Sequence, residues 1–223
     1  MRAIVRLDAG EAWVRWDWVG DHVGRISDAL LQHLELTVIA VGVGVLIAAP
    51  IGILAWRYSA SRGAILAGAG ALYTIPSLAL FALLVPWTGL TTVTSEVGLV
   101  SYTLLILVRN IVVGLDGVPP EVRDAAAGMG YRPTRQLLKI ELPLALPVIV
   151  AGLRIATVTT IGLVTITALI GQGGLGQLML DGFYRDFRTP IVIGATLSVA
   201  LAVACDVLLA LAQRLLTPWT RRS

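Results

Sequence analysis

Five apolar runs govern what this chain can become. They cover residues 34–56, 64–87, 97–115, 144–170 and 190–215, and each reaches or approaches the roughly 20 residues that a helix needs to cross hydrocarbon. A segment in lipid must satisfy its own backbone hydrogen bonds, and none of the runs alternates like a barrel strand. The predicted fold class is therefore an all-α integral membrane protein with about five transmembrane helices. Composition agrees, since 57% of the 223 residues are hydrophobic, only 14% are charged, and mean hydropathy is +0.83. Pro50, Pro76 and Pro147 fall within or at the ends of the runs and predict kinks or pore-facing breaks.

The net charge of +3 invites a nucleic-acid reading, but the basic residues are dispersed between apolar runs rather than gathered on one face, so no nucleic-acid partner is expected. Loop charge suits a membrane topology instead. The segments after the first, third and fifth runs hold Arg57 and Arg62; Arg123, Arg132, Arg135 and Lys139; and Arg214, Arg221 and Arg222. After the second run stands Glu96 with no base, and after the fourth Arg185 and Arg188 are balanced by Asp181 and Asp186. This predicts an outside N-terminus, with residues 116–147 and the C-terminus in the cytoplasm. The four arginines of residues 1–30 would then lie outside, offset in part by five acids. That stretch, with Trp13, Trp16 and Trp18, reads either as an interfacial helix or as a flexible tail, and shows no cleavable signal pattern. Cys205 is the single cysteine, so no disulfide frame is expected; His33 lacks partner spacing for a metal, and Glu35 reads as interfacial.

Residues 116–147 are the longest well-charged interval between two apolar runs, and they read as two short helices. The first opens at Pro119 and Pro120, with Asp116 upstream and Glu121 and Asp124 near its positive end, and closes at Gly128 and Gly130. The second starts at Pro133, carries Arg135 and Lys139, and is expected to stop before Pro143.

Asp124-Ala125-Ala126, then Gly130, then Ile140-Glu141-Leu142-Pro143 resembles the EAA loop of bacterial ABC-importer permeases, with Asp124 in place of the family's glutamate. The resemblance implies the type I ABC importer permease fold and a cytoplasmic coupling loop whose first helix docks on an ABC ATPase. Asp124, Ala125, Ala126, Gly128, Gly130 and Tyr131 are the candidate docking residues, the small ones admitting a partner close to the backbone. Residues 31–216 would be the permease domain, with 116–147 inside it, 1–30 before it and a tail at 217–223. Further blocks resemble the osmoprotectant branch, which carries glycine betaine, choline, carnitine and related quaternary amines. They are Tyr73-Thr-Ile-Pro-Ser, Arg109-Asn110, Ala151-Gly-Leu-Arg154 and Gly171-Gln-Gly-Gly-Leu-Gly176. Tyr73 stands where that branch usually has glutamine, and Ile111 where threonine often follows Arg-Asn.

The resemblance further implies a second permease subunit, identical or paralogous, and an extracytoplasmic substrate-binding protein, all in the bacterial inner membrane or at its face. It implies a transport subunit rather than an enzyme, with no catalytic residue, metal or cofactor in this chain and with ATP and magnesium on the partner ATPase. No Walker A sequence is present, the sole lysine being Lys139. Two rivals are kept: an importer for methionine, phosphonate or another polar solute, and a membrane redox protein. The latter would use Gly171 to Gly176 as a GxGxxG fingerprint, which is rejected because no strand precedes it.

The candidate solute path gathers Tyr73, Thr74, Pro76 and Ser77 at the break in the second run, with Arg109 and Asn110. For Pro76 the alternative is a plain kink, and for Arg109 an interfacial cation reaching headgroups. Gly171, Gly173, Gly174 and Gly176 read as a tight re-entrant turn facing the binding protein. Arg154 lies about eight residues in from the start of its run and Asp206 about eight from the cytoplasmic end of its own, each roughly 12 Å deep, and equal depth predicts a structural ion pair.

Overall fold

The computed structural model describes residues 13–221, and every element among them is helical. In chain order these are α1 (Trp16–Asp21), α2 (Val23–Arg57), α3 (Ser59–Thr74), α4 (Ser77–Thr88), α5 (Thr92–Asp116), α6 (Pro120–Gly128) and α7 (Pro133–Gln136). A π-helical turn, Leu137–Glu141, then joins α7 to α8 (Leu142–Val164). A 3-10 turn (Ile166–Ile170), α9 (Leu175–Tyr184), α10 (Arg188–Leu216) and a last 3-10 turn complete the chain. Four helical stretches are long and apolar enough to cross a bilayer, and α3 with α4 makes a fifth, broken pair bent by 94°.

Close approach of small residues builds the centre. Along α2 the buried positions Leu36, Ala40, Gly44, Ala48, Gly52 and Ala55 recur every three or four residues, which is one stripe of the helix. That stripe meets α5, where a Cβ on Gly44 would collide with Thr103 and one on Gly52 would come within 2.8 Å of Ile111. On the other side of α5, Gly152 of α8 receives Asn110, and Gly114 faces the Ala145 backbone. Ala48, Leu107, Val108, Ile111, Leu115, Ala145 and Ala156 form the cluster that results. Lipid gives helices no hydrophobic reason to associate, so van der Waals contact of this kind must hold them together.

Several boundaries differ from those the sequence suggests. The first long helix begins at Val23 rather than after residue 30, and its 35 residues span about 52 Å, well beyond the hydrocarbon. Its outer turns are held by contacts that hydropathy does not register: Arg25 pairs with Asp181, and the Gln32 side chain accepts the Gly174 N–H at 3.0 Å. The part of residues 1–30 before Trp13, including Arg2, Arg6, Asp8 and Glu11, lies outside the described residues, as does Arg222.

Only Pro76 breaks a helix; Pro50 and Pro147 sit inside continuous ones. The expected stop before Pro143 is also absent. Leu142 bonds back five residues to Leu137, and this widened turn eases the crowding that the Pro143 ring would impose on the carbonyl of Lys139. The fourth run, in turn, is not one helix to residue 170, because α8 ends at Val164 and tightens into the 3-10 turn.

The α2–α5 contact yields a test. Gly44→Val should lower stability by about 1–3 kcal/mol through overpacking against Thr103. Gly42→Val, whose Cβ meets nothing within 4 Å, should change little. Thermal unfolding of the detergent-solubilised chain, followed by size-exclusion chromatography, compares the two.

Candidate functional site: coupling hairpin and solute path

The hairpin between α5 and α8 owes its form to two sequence signals. Pro119 and Pro120 start α6 where missing N–H groups cost nothing, and Glu121 occupies the first turn. Gly130 ends it at φ +80°, with the Tyr131 N–H bonded to the Ala126 carbonyl (3.1 Å) and its own N–H to Ala127 (2.9 Å). That pair of bonds is a Schellman ending, which needs a left-handed residue. Asp116 is not part of this cap: it closes α5 and pairs with Arg62 of α3.

One face of α6 looks outward and the other is committed to the chain itself. Asp124, Ala125, Ala127, Gly128 and Gly130 are exposed, as is Met129 at 68%, the largest apolar side chain presented there. Ala126 is fully buried within the chain, so its side chain is not open to a docking partner. Tyr131 is half-buried, with the Arg135 guanidinium 5.4 Å from its ring centre. The inward face also carries Arg123. Its Nη2 donates to the Leu115 carbonyl, its guanidinium lies 5.5 Å over the Trp56 ring, and its Nε stands 3.9 Å from Glu141. From sequence Arg123 counted only as loop charge and Trp56 was given no role; the i, i+3 spacing of Arg123 and Ala126, which puts them on one helix face, is the signal that was there.

At the break between α3 and α4 the candidate path residues divide. Tyr73, Thr74 and Pro76 are exposed and Ser77 is half-buried. The Tyr73 ring stands edge-on to Tyr102 of α5, centres 5.8 Å apart, and the Tyr102 hydroxyl donates to the Ile75 carbonyl, pinning the bend. Arg109 follows Tyr102 by seven residues, hence on the same face of α5 and about 10 Å along it, and is exposed. Asn110 does not join them. Its amide donates to Ile106 of its own helix at 2.8 Å, and its side chain fills the space over Gly152.

The glycine segment is a packing device over most of its length. Gly171 is left-handed and exposed, but Gly173, Gly174 and Gly176 are buried, and a Cβ on them would strike Ala168, the His33 backbone and Thr165 respectively. These three therefore face the chain rather than a binding protein, and their backbone is too enclosed for a dinucleotide. His33, fully buried, donates to the Ile161 carbonyl at 3.0 Å and belongs to the same contact.

Arg154 of α8 and Asp206 of α10 meet in a two-pronged pair, Nε to Oδ1 and Nη2 to Oδ2 both at 2.8 Å. The pair floors an open groove of about 600 Å³ walled by Ala151, Ile155, Val158 and Val203.

Residues 40–222 match the family described as binding-protein-dependent transport system inner membrane component. The chain belongs to that family. It is 38% identical over 203 residues to the osmoprotectant import permease protein OsmW of Salmonella typhimurium, covering 89% of this chain and 94% of that one. To the choline transport system permease protein OpuBB of Bacillus subtilis it is 37% identical, covering 87% and 90%. Among solved structures, the inward-facing methionine ABC transporter MetNI superposes with a TM-score of 0.81 at 21% identity, over 88% of this chain and 98% of that one, which shows the fold. This is a multi-pass inner-membrane permease of the type I ABC importer fold, a transport subunit and not an enzyme. Membership brings an ATPase and a binding protein as partners in general.

The ion pair predicts its own repair. Asp206→Ala should strand Arg154 at membrane depth and lower the thermal midpoint and folded yield, and the swap Arg154→Asp with Asp206→Arg should recover most of the loss. Folded yield in detergent and melting midpoints measure both.

Proposed function

We propose that this chain carries quaternary-amine osmoprotectants such as glycine betaine, choline or carnitine into the cell. The observation that carries the solute class is similarity over nearly the full length of both chains to permeases named for osmoprotectant and choline transport. The working assembly in this reading has a second permease subunit, a copy or a paralogue. Two ATPase subunits bind ATP with magnesium, and an extracytoplasmic protein delivers solute.

The geometry supports a division of labour. A quaternary ammonium has no N–H to donate and is recognised by aromatic faces. This chain offers Tyr73 at the α3–α4 bend, braced edge-on by Tyr102, which is one accessible ring and not a cage. Selection therefore rests with the binding protein, and Tyr73, Thr74 and Ser77 line a path of weak contacts. ATP binding closes the ATPase pair, α6 follows, and the membrane helices open the path outward; hydrolysis resets it. Each state must be favoured by a different bound partner for the cycle to run.

Three experiments test this reading. Cells lacking the chain should lose uptake of labelled glycine betaine and choline, most clearly at high salt; unchanged uptake of both refutes the solute class. Tyr73→Ala should lower maximal choline uptake about threefold with little change in the half-saturating concentration, whereas Tyr73→Phe should transport normally. Gly130→Val forces a β-branched residue to φ +80°, at a cost of about 1–2 kcal/mol, and displaces the end of α6. That variant should insert normally yet hydrolyse ATP without moving solute, and normal uptake by it counts against docking through α6.

A further inference from the structure

We propose that Arg123, with the buried carboxylate of Glu141, is the clasp through which movement of α6 reaches the membrane helices. The inference rests on the reading of α6 as the docking helix, and goes beyond it by naming the positioning residue behind that helix.

The placement is specific. Arg123 and Ala126 are three residues apart and share the inward face of α6, where Ala126 is fully buried and Arg123 reaches toward the membrane helices. From there one side chain touches the ends of three membrane-crossing elements. It donates to the Leu115 carbonyl at the end of α5, lies over Trp56 at the end of α2, and approaches Glu141 in the π turn that leads into α8. A rigid planar guanidinium can serve all three at once, with its edge to a carbonyl, its face to an indole and its remaining N–H to a carboxylate.

The clasp is not fully closed. The Glu141 side chain is 4% exposed; its Oε1 accepts from Gln136 Nε2 at 2.8 Å, while its Oε2 and Arg123 Nε are both buried and without a hydrogen-bond partner. At 3.9 Å the Nε to Oε1 contact is an ion pair but too long for a hydrogen bond. Leaving a buried charge and a buried donor unsatisfied is costly, so a shift of α6 by about 1 Å toward the π turn would add a charge-assisted bond. Two positions of α6 thus differ in how well this pair is satisfied, which is the differential stabilisation that a coupling element requires.

The π turn has a part in this. Relative to an unbroken α-helix it turns everything beyond it by about 100°, and it is the turn in which Glu141 projects inward under α6.

The test uses the chain assembled with its ATPase and binding protein in proteoliposomes, with labelled glycine betaine and choline as probes. Arg123→Ala and Glu141→Gln should assemble and hydrolyse ATP, but the solute moved per ATP should fall about tenfold. Arg123→Lys should fall between, because an ammonium keeps the charge and loses the flat face on Trp56. A second readout does not depend on the solute: with 5-fluorotryptophan incorporated and its Trp56 resonance assigned by Trp56→Phe, ATP binding should shift that resonance in the unmodified chain and not in Glu141→Gln. An unchanged ratio in Arg123→Ala and Glu141→Gln beside an uncoupled Gly130→Val overturns the clasp and leaves the docking helix standing. An unchanged ratio in all three overturns both. Loss of assembly in the near-isosteric Glu141→Gln also overturns the proposal, since the pair would then be a folding element; should Arg123→Ala fail to assemble, Glu141→Gln and Arg123→Lys decide.

Discussion

Inside a bilayer, apolar side chains are as well solvated by lipid as by each other, so two helices gain little by touching unless their backbones can come close. In this chain Gly44 and Gly52 let α2 lie against Thr103 and Ile111 of α5, and Gly152 lets α8 take Asn110 from the opposite side. The three helices pack together, and near their ends stand Trp56, Leu115 and Glu141, the residues that Arg123 of α6 reaches. Loosening that packing would leave Arg123 without a fixed set of partners.

A different economy governs α3 and α4. No residue of α3 is buried and only Leu80 and Phe81 of α4 are; Ile65 and Leu66 rest against the core cluster, Phe81 fills the space over Gly98, and Tyr102 holds the bend. This thinly buried segment carries the candidate path residues Tyr73, Thr74 and Ser77. Parts of a transporter that must present alternative faces are drawn from the less tightly held elements, and the tightly held ones serve as the frame. The Arg154–Asp206 pair belongs to the frame, because it joins α10, otherwise thinly covered, to α8.

How far the sequence could be read depended on how local the cause was. The α6 boundaries followed from Pro120 and Gly130 because proline and left-handed glycine act on their own dihedral angles. The Arg154–Asp206 meeting followed from equal depth, since charges in lipid have few alternatives to each other. Asn110, Ala126 and three of the four loop glycines were misread for one reason: each looks like a small or polar group suited to a partner, and each is instead taken up within the chain itself. The continuation of the helix through Pro143 was hidden too, since a π turn leaves no mark in hydropathy.

By itself, then, the order of residues determined that the chain lies in a membrane, how many times it crosses, where its charged hairpin stands and which family pattern that hairpin carries. Hydrophobic length, backbone saturation and turn chemistry are properties of short segments, legible wherever they occur. Which face of α6 turns outward, which carboxylate waits beneath it and which glycines are filled from across the bundle were decided only when the helices came together, because those outcomes depend on distances between residues as far apart along the chain as His33 and Gly174, which no local rule encodes.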